Sequence, residues 1–186
     1  MTASRSPRIL VAAASKHGST HEIAAALAGF LQESAAGRAC GVTARAVHLE
    51  QLPELTGYDA VVLGSAVYVG RWLEPARHYV TERSAELRRR PVWLFSSGPI
   101  GEPPFPPDEP HDAGPMSRMV GARGHRVFPG RIDKARLSVG ERAMVTAMRA
   151  PVGDFRDWDA VRAWAEEIAG ELSAVAPAPR PAPSPA

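Results

Sequence analysis

Six consecutive residues, Ser15, Lys16, His17, Gly18, Ser19 and Thr20, gather three hydroxyls, an ammonium group, an imidazole and a glycine into one short loop. The apolar run RILVAAAS leads into it, and a helical pattern leaves it, with Ile23, Leu27, Phe30 and Leu31 recurring at the spacing of one helix face. The loop therefore stands where a helix begins. Unpaired backbone N–H groups and a partial positive charge collect at that point, and the side chains add further donors around it. This set suits a phosphate: a hydrogen bond to a charged acceptor contributes about 1.5–3 kcal/mol, so four or five offset the costs of association. Lys16 or a protonated His17 would balance part of the dianion's charge. The plainer reading is a helix start capped by Ser19 or Thr20, with Gly18 present for the turn. One cap residue satisfies a helix, however, and this loop holds three hydroxyls.

The kind of phosphate ligand is narrowed by what the chain lacks. Neither G-x-x-x-x-G-K-[ST], the nucleoside triphosphate loop, nor the dinucleotide pattern G-x-G-x-x-G occurs. A phosphorylated receiver domain needs carboxylates for magnesium at the ends of its first and third strands, where this chain has Ala14 or Ser15 and Gly64 or Ser65. A low-molecular-weight phosphatase needs a cysteine nucleophile in the loop, and Cys40 lies elsewhere, just before the second strand. FMN is left as a ligand that uses a phosphate loop without metal or nucleophile. No metal site is expected, because His48, His78, His111 and His125 lie far apart in sequence, at positions read as surface or helix ends.

The elements that must position the loop follow from short apolar runs alternating with helical patterns, the mark of a parallel sheet covered by helices on both faces. RILVAAAS is the first strand. VTARAVHL is the second, with Val42, Ala44 and Ala46 on one side and polar residues between, as on an edge strand. YDAVVLGSAVY is the third, PVWLFSSGPI the fourth and GHRVFPGRID the fifth. EPARHYVTERSAELRRR reads as one helix opened by Pro75 and closed by arginines. DWDAVRAWAEEIAGELSAV reads as a last helix capped by Asp157, with Val161, Trp164, Ile168 and Leu172 facing inward. The fold class predicted is α/β, a doubly wound five-stranded parallel sheet. Such sheets bind ligands at the carboxyl ends of the strands, where the order reverses. Three loops leave those ends: SKHGST, GSAVYVGRW and SSGPIGEPP. A proline-rich loop from Pro99 to Pro115 borders them, as a lid or as a stiff connection.

Composition bounds the rest. The 186 residues suit one domain, expected over 8–175, that buries roughly two-thirds of its unfolded surface. Residues 1–7 and the Pro/Ala-rich tail 176–186 are expected to be disordered. With 22 basic against 20 acidic residues, a formal charge of +2, the chain carries no footprint for nucleic acid. The single cysteine excludes an internal disulfide and a cysteine-built zinc or iron–sulfur centre, and it fits a reducing cytoplasm. No apolar run approaches the ~20 residues that cross a bilayer.

SKHGST resembles the flavodoxin phosphate loop T-x-T-G-x-T, with Ser15, His17, Gly18 and Thr20 at the four defining positions and histidine in place of one hydroxyl residue. DAVVLGSAVYVGRWLEPARHYV and DFRDWDAVRAWAEEIA are similar to the second flavin loop and terminal helix of the flavodoxin-type, menaquinone-dependent protoporphyrinogen dehydrogenases. The resemblance runs from residue 8 to about 173. It implies a flavodoxin-like fold, with the five parallel strands in the order 2-1-3-4-5, and FMN as cofactor, the isoalloxazine ring lying between the second and third loops. Ser65, Ala66, Val67, Tyr68, Val69, Gly70 and Trp72 would then flank one side of the ring, and Ser96, Ser97, Gly98, Pro99 and Gly101 the other. Trp72 reads equally well as an apolar anchor for the next helix.

Soluble electron shuttles of this type are strongly acidic around the flavin. This chain is mildly basic, with Arg71, Arg123, Arg126 and Arg131 expected near the ligand edge, where guanidinium groups suit the two propionates of protoporphyrinogen. Each arginine reads as well as a solvated surface residue, and none is assigned to catalysis. The segment KARLSVGERAMVTAMRAPVG is shorter than the insertion the resembling enzymes carry. The leading expectation is an FMN-dependent oxidoreductase, of protoporphyrinogen dehydrogenase type, passing electrons to a quinone or other acceptor and leaving a peripheral membrane contact open. Its alternatives are an electron carrier serving a redox partner protein, and a non-catalytic binding or regulatory module on the same fold.

Overall fold

The computed structural model describes residues 6–98, 100 and 110–175. The expectations for residues 1–5 of the N-terminus, for Pro99, Gly101 and most of the proline-rich loop, and for the tail 176–186 lie outside the described residues.

Strand β1 (Arg8–Ala14) is buried from Ile9 onward, and its alternate side chains feed two cores. Ile9, Val11 and Ala13 face helices α1 (Ser19–Glu33) and α7 (Trp158–Val175), packing with Ile23, Leu27, Leu31, Trp164 and Ile168. Leu10, Ala12 and Ala14 face the other layer, with Leu55, Tyr79, Val80 and Leu94. A strand covered on both faces has no position for a polar side chain, which is why RILVAAA reads as one continuous apolar run.

The parallel strands stand in the order β2 (Thr43–His48), β1, β3 (Ala60–Tyr68), β5 (Val92–Ser97), β6 (Gly124–Phe128), the 2-1-3-4-5 arrangement expected. Several local assignments need correction. A short antiparallel β4 (Arg71–Trp72) folds back on β3 through a turn at Val69 (φ 50) and Gly70 (φ 70). Helix α2 (Ala35–Cys40), capped by Ser34, arises where no helix was assigned. The single helix expected over 74–90 is two, α3 (Glu74–Glu82) and α4 (Ser84–Leu87), broken at Arg83. Helix α5 (Ala113–Val120) takes Pro115 into its first turn, where a missing N–H costs nothing, so the loop stops short of it. The expected fifth strand breaks at Pro129. Its second half is β7 (Arg131–Ile132), which pairs with β8 (Gly153–Asp154), and helix α6 (Val139–Ala147) lies between them. Phe30 is only half-buried and lies under the guanidinium of Arg162 at 3.9 Å, a cation–π contact at the domain surface.

Asp157 does cap α7, accepting from Ala160 N at 2.9 Å, and Val161, Trp164, Ile168 and Leu172 are all buried. On the opposite layer Tyr79 is buried, and its hydroxyl donates to the carbonyl of Pro53 at 2.6 Å. Burial pushes its pKa up to about 12, with Arg83 opposing and Glu54 and Glu86 adding to the rise. Because the folded value lies above the unfolded 10.0, this stability is present below pH 10 and is lost as the pH rises toward 12. Urea titrations at about pH 9 and pH 12 should differ by on the order of 2 kcal/mol more in the native chain than in Tyr79→Phe.

Candidate functional site

Strand order reverses between β1 and β3, and the loops leaving the carboxyl ends of these two strands enclose a cavity of about 540 Å³ with β5 and the segment after β6. Its walls are Ser15, Lys16, His17, Ser19 and Thr20; Ala66 to Gly70; Ser97, Gly98 and Ile100; and Gly130 to Asp133. Helix α6 and its flanks cover it with Leu137, Glu141, Met144, Val145, Met148 and Ala150.

Gly18 opens α1 at φ 87, a conformation that glycine adopts without the steric cost of a Cβ, and no side chain caps the helix from that position. Ser15 Oγ instead accepts from the backbone N–H of Gly18 at 3.0 Å and of Thr20 at 3.2 Å, bending the loop round its own first residue. Ser19 Oγ is buried without a hydrogen-bond partner on a residue that lines the cavity, a donor an incoming oxyanion would satisfy.

An anion from the chain itself already faces this loop. Glu141 lies 2.6 Å from Lys16 Nζ, and its Oε1 is 3.0 Å from His17 Nε2. A carboxylate can only accept, so Nε2 carries the proton. The hydrogen bond from Lys16, then those from Ser138 and His17, hold the Glu141 carboxyl well below the usual carboxylate range. The stability this contributes is present at neutral pH and is lost as the pH falls below the ordinary value of 4.5. Glu141 is placed by a capping box: Ser138 Oγ accepts from Glu141 N while Glu141 Oε2 accepts from Ser138 N at 2.8 Å. The pattern S-V-G-E just before Met144 and Val145 is a legible helix start, and it was the signal by which the sequence reading could have found this helix.

On the second wall Tyr68 is 39 % exposed, and its ring carries Lys16 Nζ 5.5 Å from the centroid. Burial of the phenol, then the nearby Glu141 charge, pushes its pKa up to about 12, so at neutral pH the ring is a neutral face at the cavity edge. Val69 stands 94 % exposed at positive φ beside it, and His111 N donates to Gly70 O at 2.9 Å, tying this turn to the start of α5. Deeper in, Arg131 joins Glu22 through two hydrogen bonds of 2.8 and 3.2 Å, and Arg156 joins the same carboxylate at 2.6 Å. Burial would raise the pKa of Glu22, but hydrogen bonds from Arg156 and Arg131 outweigh it and lower the value. The network fixes the first turn of α1 against β7 and β8.

Of the residues named from sequence, Ser15, Lys16, His17, Ser19, Thr20, Ala66, Val67, Tyr68, Val69, Gly70, Ser97 and Gly98 line this cavity. Four others do not. Gly18 shapes the loop from behind. Trp72 is buried in the core beneath, where its indole N–H donates to Ser96 Oγ at 2.7 Å; the apolar-anchor alternative describes it, because a buried indole must find an acceptor. Ser96 also bonds His125 Nε2 at 2.8 Å, and Ser65 Oγ accepts from Leu73 N while donating to Ala66 O, so both hydroxyls are spent inside the protein. Pro99 and Gly101 lie outside the described residues. Among the four arginines, only Arg131 is on the cavity wall; Arg71 pairs with Asp112, Arg123 lies over Trp93, and Arg126 pairs with Glu167. His111, expected at a surface or helix end, reaches the cavity edge.

Residues 10–159 match the protein family described as Flavodoxin domain. The chain belongs to that family. Solved structures share the flavodoxin-like fold at low identity. An archaeal flavodoxin superposes with a TM-score of 0.60 at 14% identity, over 89% of this chain and 98% of its own. The flavodiiron core of Flv1 from Synechocystis sp. PCC6803 gives 0.60 at 14%, over 91% of this chain, which spans only 36% of it. A flavone reductase gives 0.57 at 10%, over 90% and 63%. No curated protein matches the chain in sequence. Among the chain's described residues no helix is long and apolar enough to cross a membrane.

Proposed function

We propose that the chain holds FMN in this cavity and acts as an FMN-dependent oxidoreductase on a reduced organic donor. The observation that supports this most is the meeting of two unlike surfaces in one cavity: the donor-rich loop Ser15–Thr20, with the buried unpaired Ser19 hydroxyl, and the apolar cover of Met144, Val145 and Met148. The loop suits the phosphate, through the Ser19 and Thr20 hydroxyls, Lys16 and His17; Tyr68 and the backbone of 66–70 and 97–98 suit the ring. When bound, FMN supplies acceptance and release of a hydride or of single electrons. The chain's own residues bind its anionic tail, seat its ring against Tyr68 and, through Met144, Val145 and Met148, offer it an apolar face.

The substrate we assign is protoporphyrinogen or a donor of similar reduced, apolar character, with a quinone or other acceptor taking the electrons. The resemblance of the second loop and of the terminal helix supports this, as does the apolar α6 cover. An electron carrier without its own substrate is the second reading; it is favoured by the archaeal flavodoxin, whose length this chain nearly matches. Purified protein mixed with FMN should turn yellow and quench the free flavin's fluorescence, while riboflavin, lacking the phosphate, binds at least about tenfold more weakly. No uptake of FMN would overturn the whole reading. With flavin bound, anaerobic addition of protoporphyrinogen should bleach it; flavin that stays oxidised leaves the carrier.

A further inference from the structure

Outside the cavity lining, three chain segments converge on His21, His48 and Glu50. His21 belongs to the first turns of α1, His48 ends β2, and Glu50 sits in the 3-10 turn Leu49–Gln51. Their ligand-capable atoms lie within 4.8 Å of one another. The two imidazoles are stacked with centroids 3.6 Å apart and planes 10° from parallel, and Glu50 Oε2 is 3.4 Å from His21 Nε2.

Two of the three groups are already oriented by backbone. His21 Nε2 bonds the carbonyl of Ala13 at 3.1 Å, and Glu50 Oε1 accepts from Ser15 N at 3.1 Å. The carbonyl accepts, so His21 Nε2 carries the proton and Nδ1 is the nitrogen left to ligate; outer partners of this type set tautomer, ring orientation and carboxylate aim at metal centres. The third group, His48, is exposed at a strand end and turns about its side-chain bonds at little cost.

We propose that His21, His48 and Glu50 form a binding site for a divalent transition-metal ion of the zinc class, with water completing the shell. Two borderline nitrogens and one carboxylate oxygen suit Zn²⁺, whereas Mg²⁺ and Ca²⁺ call for oxygen sets. His48 rotates out of the stack so that both nitrogens approach the ion at about 2.0–2.1 Å. The ion joins the start of α1 to the end of β2 immediately behind the Ser15–Thr20 loop, and it stabilises the folded chain. The site is independent of the cofactor.

The test uses the full chain stripped with a chelator. Calorimetric titration with Zn²⁺ should show one equivalent bound, the thermal midpoint should rise with added Zn²⁺, and Mg²⁺ should do neither. Co²⁺ in place of Zn²⁺ should give visible d–d bands. His48→Ala, a surface change that leaves the fold intact by circular dichroism, should weaken Zn²⁺ binding more than about tenfold and remove the thermal shift. Glu50→Gln should weaken it in the same direction. A chain that binds no Zn²⁺, that binds Mg²⁺ equally, or whose Zn²⁺ binding survives both His48→Ala and Glu50→Gln would overturn the proposal.

Discussion

Glu141→Gln should tighten FMN binding at least tenfold, about 1.4 kcal/mol, while leaving riboflavin binding unchanged. The reason is competition for the same two donors. Lys16 Nζ and His17 Nε2 both point at Glu141, and a phosphate dianion in the Ser15–Thr20 loop would face that carboxylate as a like charge across a short distance. Glutamine keeps the shape and, as an accepted third residue of a capping box, keeps the start of α6. The change therefore isolates the charge from the helix. Fluorescence titration of both flavins at low and high salt measures it, and the gain should shrink as salt rises. Weaker FMN binding in the variant would instead mean that Glu141 holds Lys16 and His17 in position for the phosphate.

Gly64→Ala should be the most damaging small substitution in the sheet, costing about 3 kcal/mol or more and lowering the thermal midpoint by roughly 6–12 °C. Gly64 lies in the middle of β3, paired with Ala13 on one side and Phe95 on the other. A Cβ there would stand 2.1 Å from the Phe95 ring, which lies across the glycine. That ring cannot withdraw freely, because it packs against Phe128 at 6.0 Å and Trp164 at 6.3 Å in the core beneath α7. Combining Gly64→Ala with Phe95→Leu should recover part of the loss, since the second change removes the clashing ring atoms. Urea unfolding of the two single variants and the double variant reads the coupling. A loss under 1 kcal/mol for Gly64→Ala, or strictly additive changes, would show that the strand yields where the geometry says it is locked.

Some of this architecture is written locally. ILVAAA must be a strand covered on both faces because every one of its positions is apolar, and the loop after it must meet the helix it opens because both are contiguous in the chain. Other features escaped reading for equally physical reasons. Ser65, Ser96 and Trp72 are residue types that suit a ligand or a core. Only the facing of β4 against β5 shows that the indole N–H is satisfied by Ser96 rather than by anything in the cavity. GHRVFPGRID reads as one strand, yet it breaks at Pro129, which has no backbone N–H for a ladder, and its end pairs with β8 instead of continuing the sheet.

Read alone, the sequence shows the alternation of strands and helices and a donor-rich loop at the first helix start. These rest on periodicity and on neighbours in the chain. The tertiary structure alone decided that Glu141, 124 residues from His17, faces the Ser15–Thr20 loop, and that His21, His48 and Glu50 share one point. Polar side chains from distant segments meet where the packed backbone carries them, and no local period records that meeting, because each is compatible with solvent until the fold removes it.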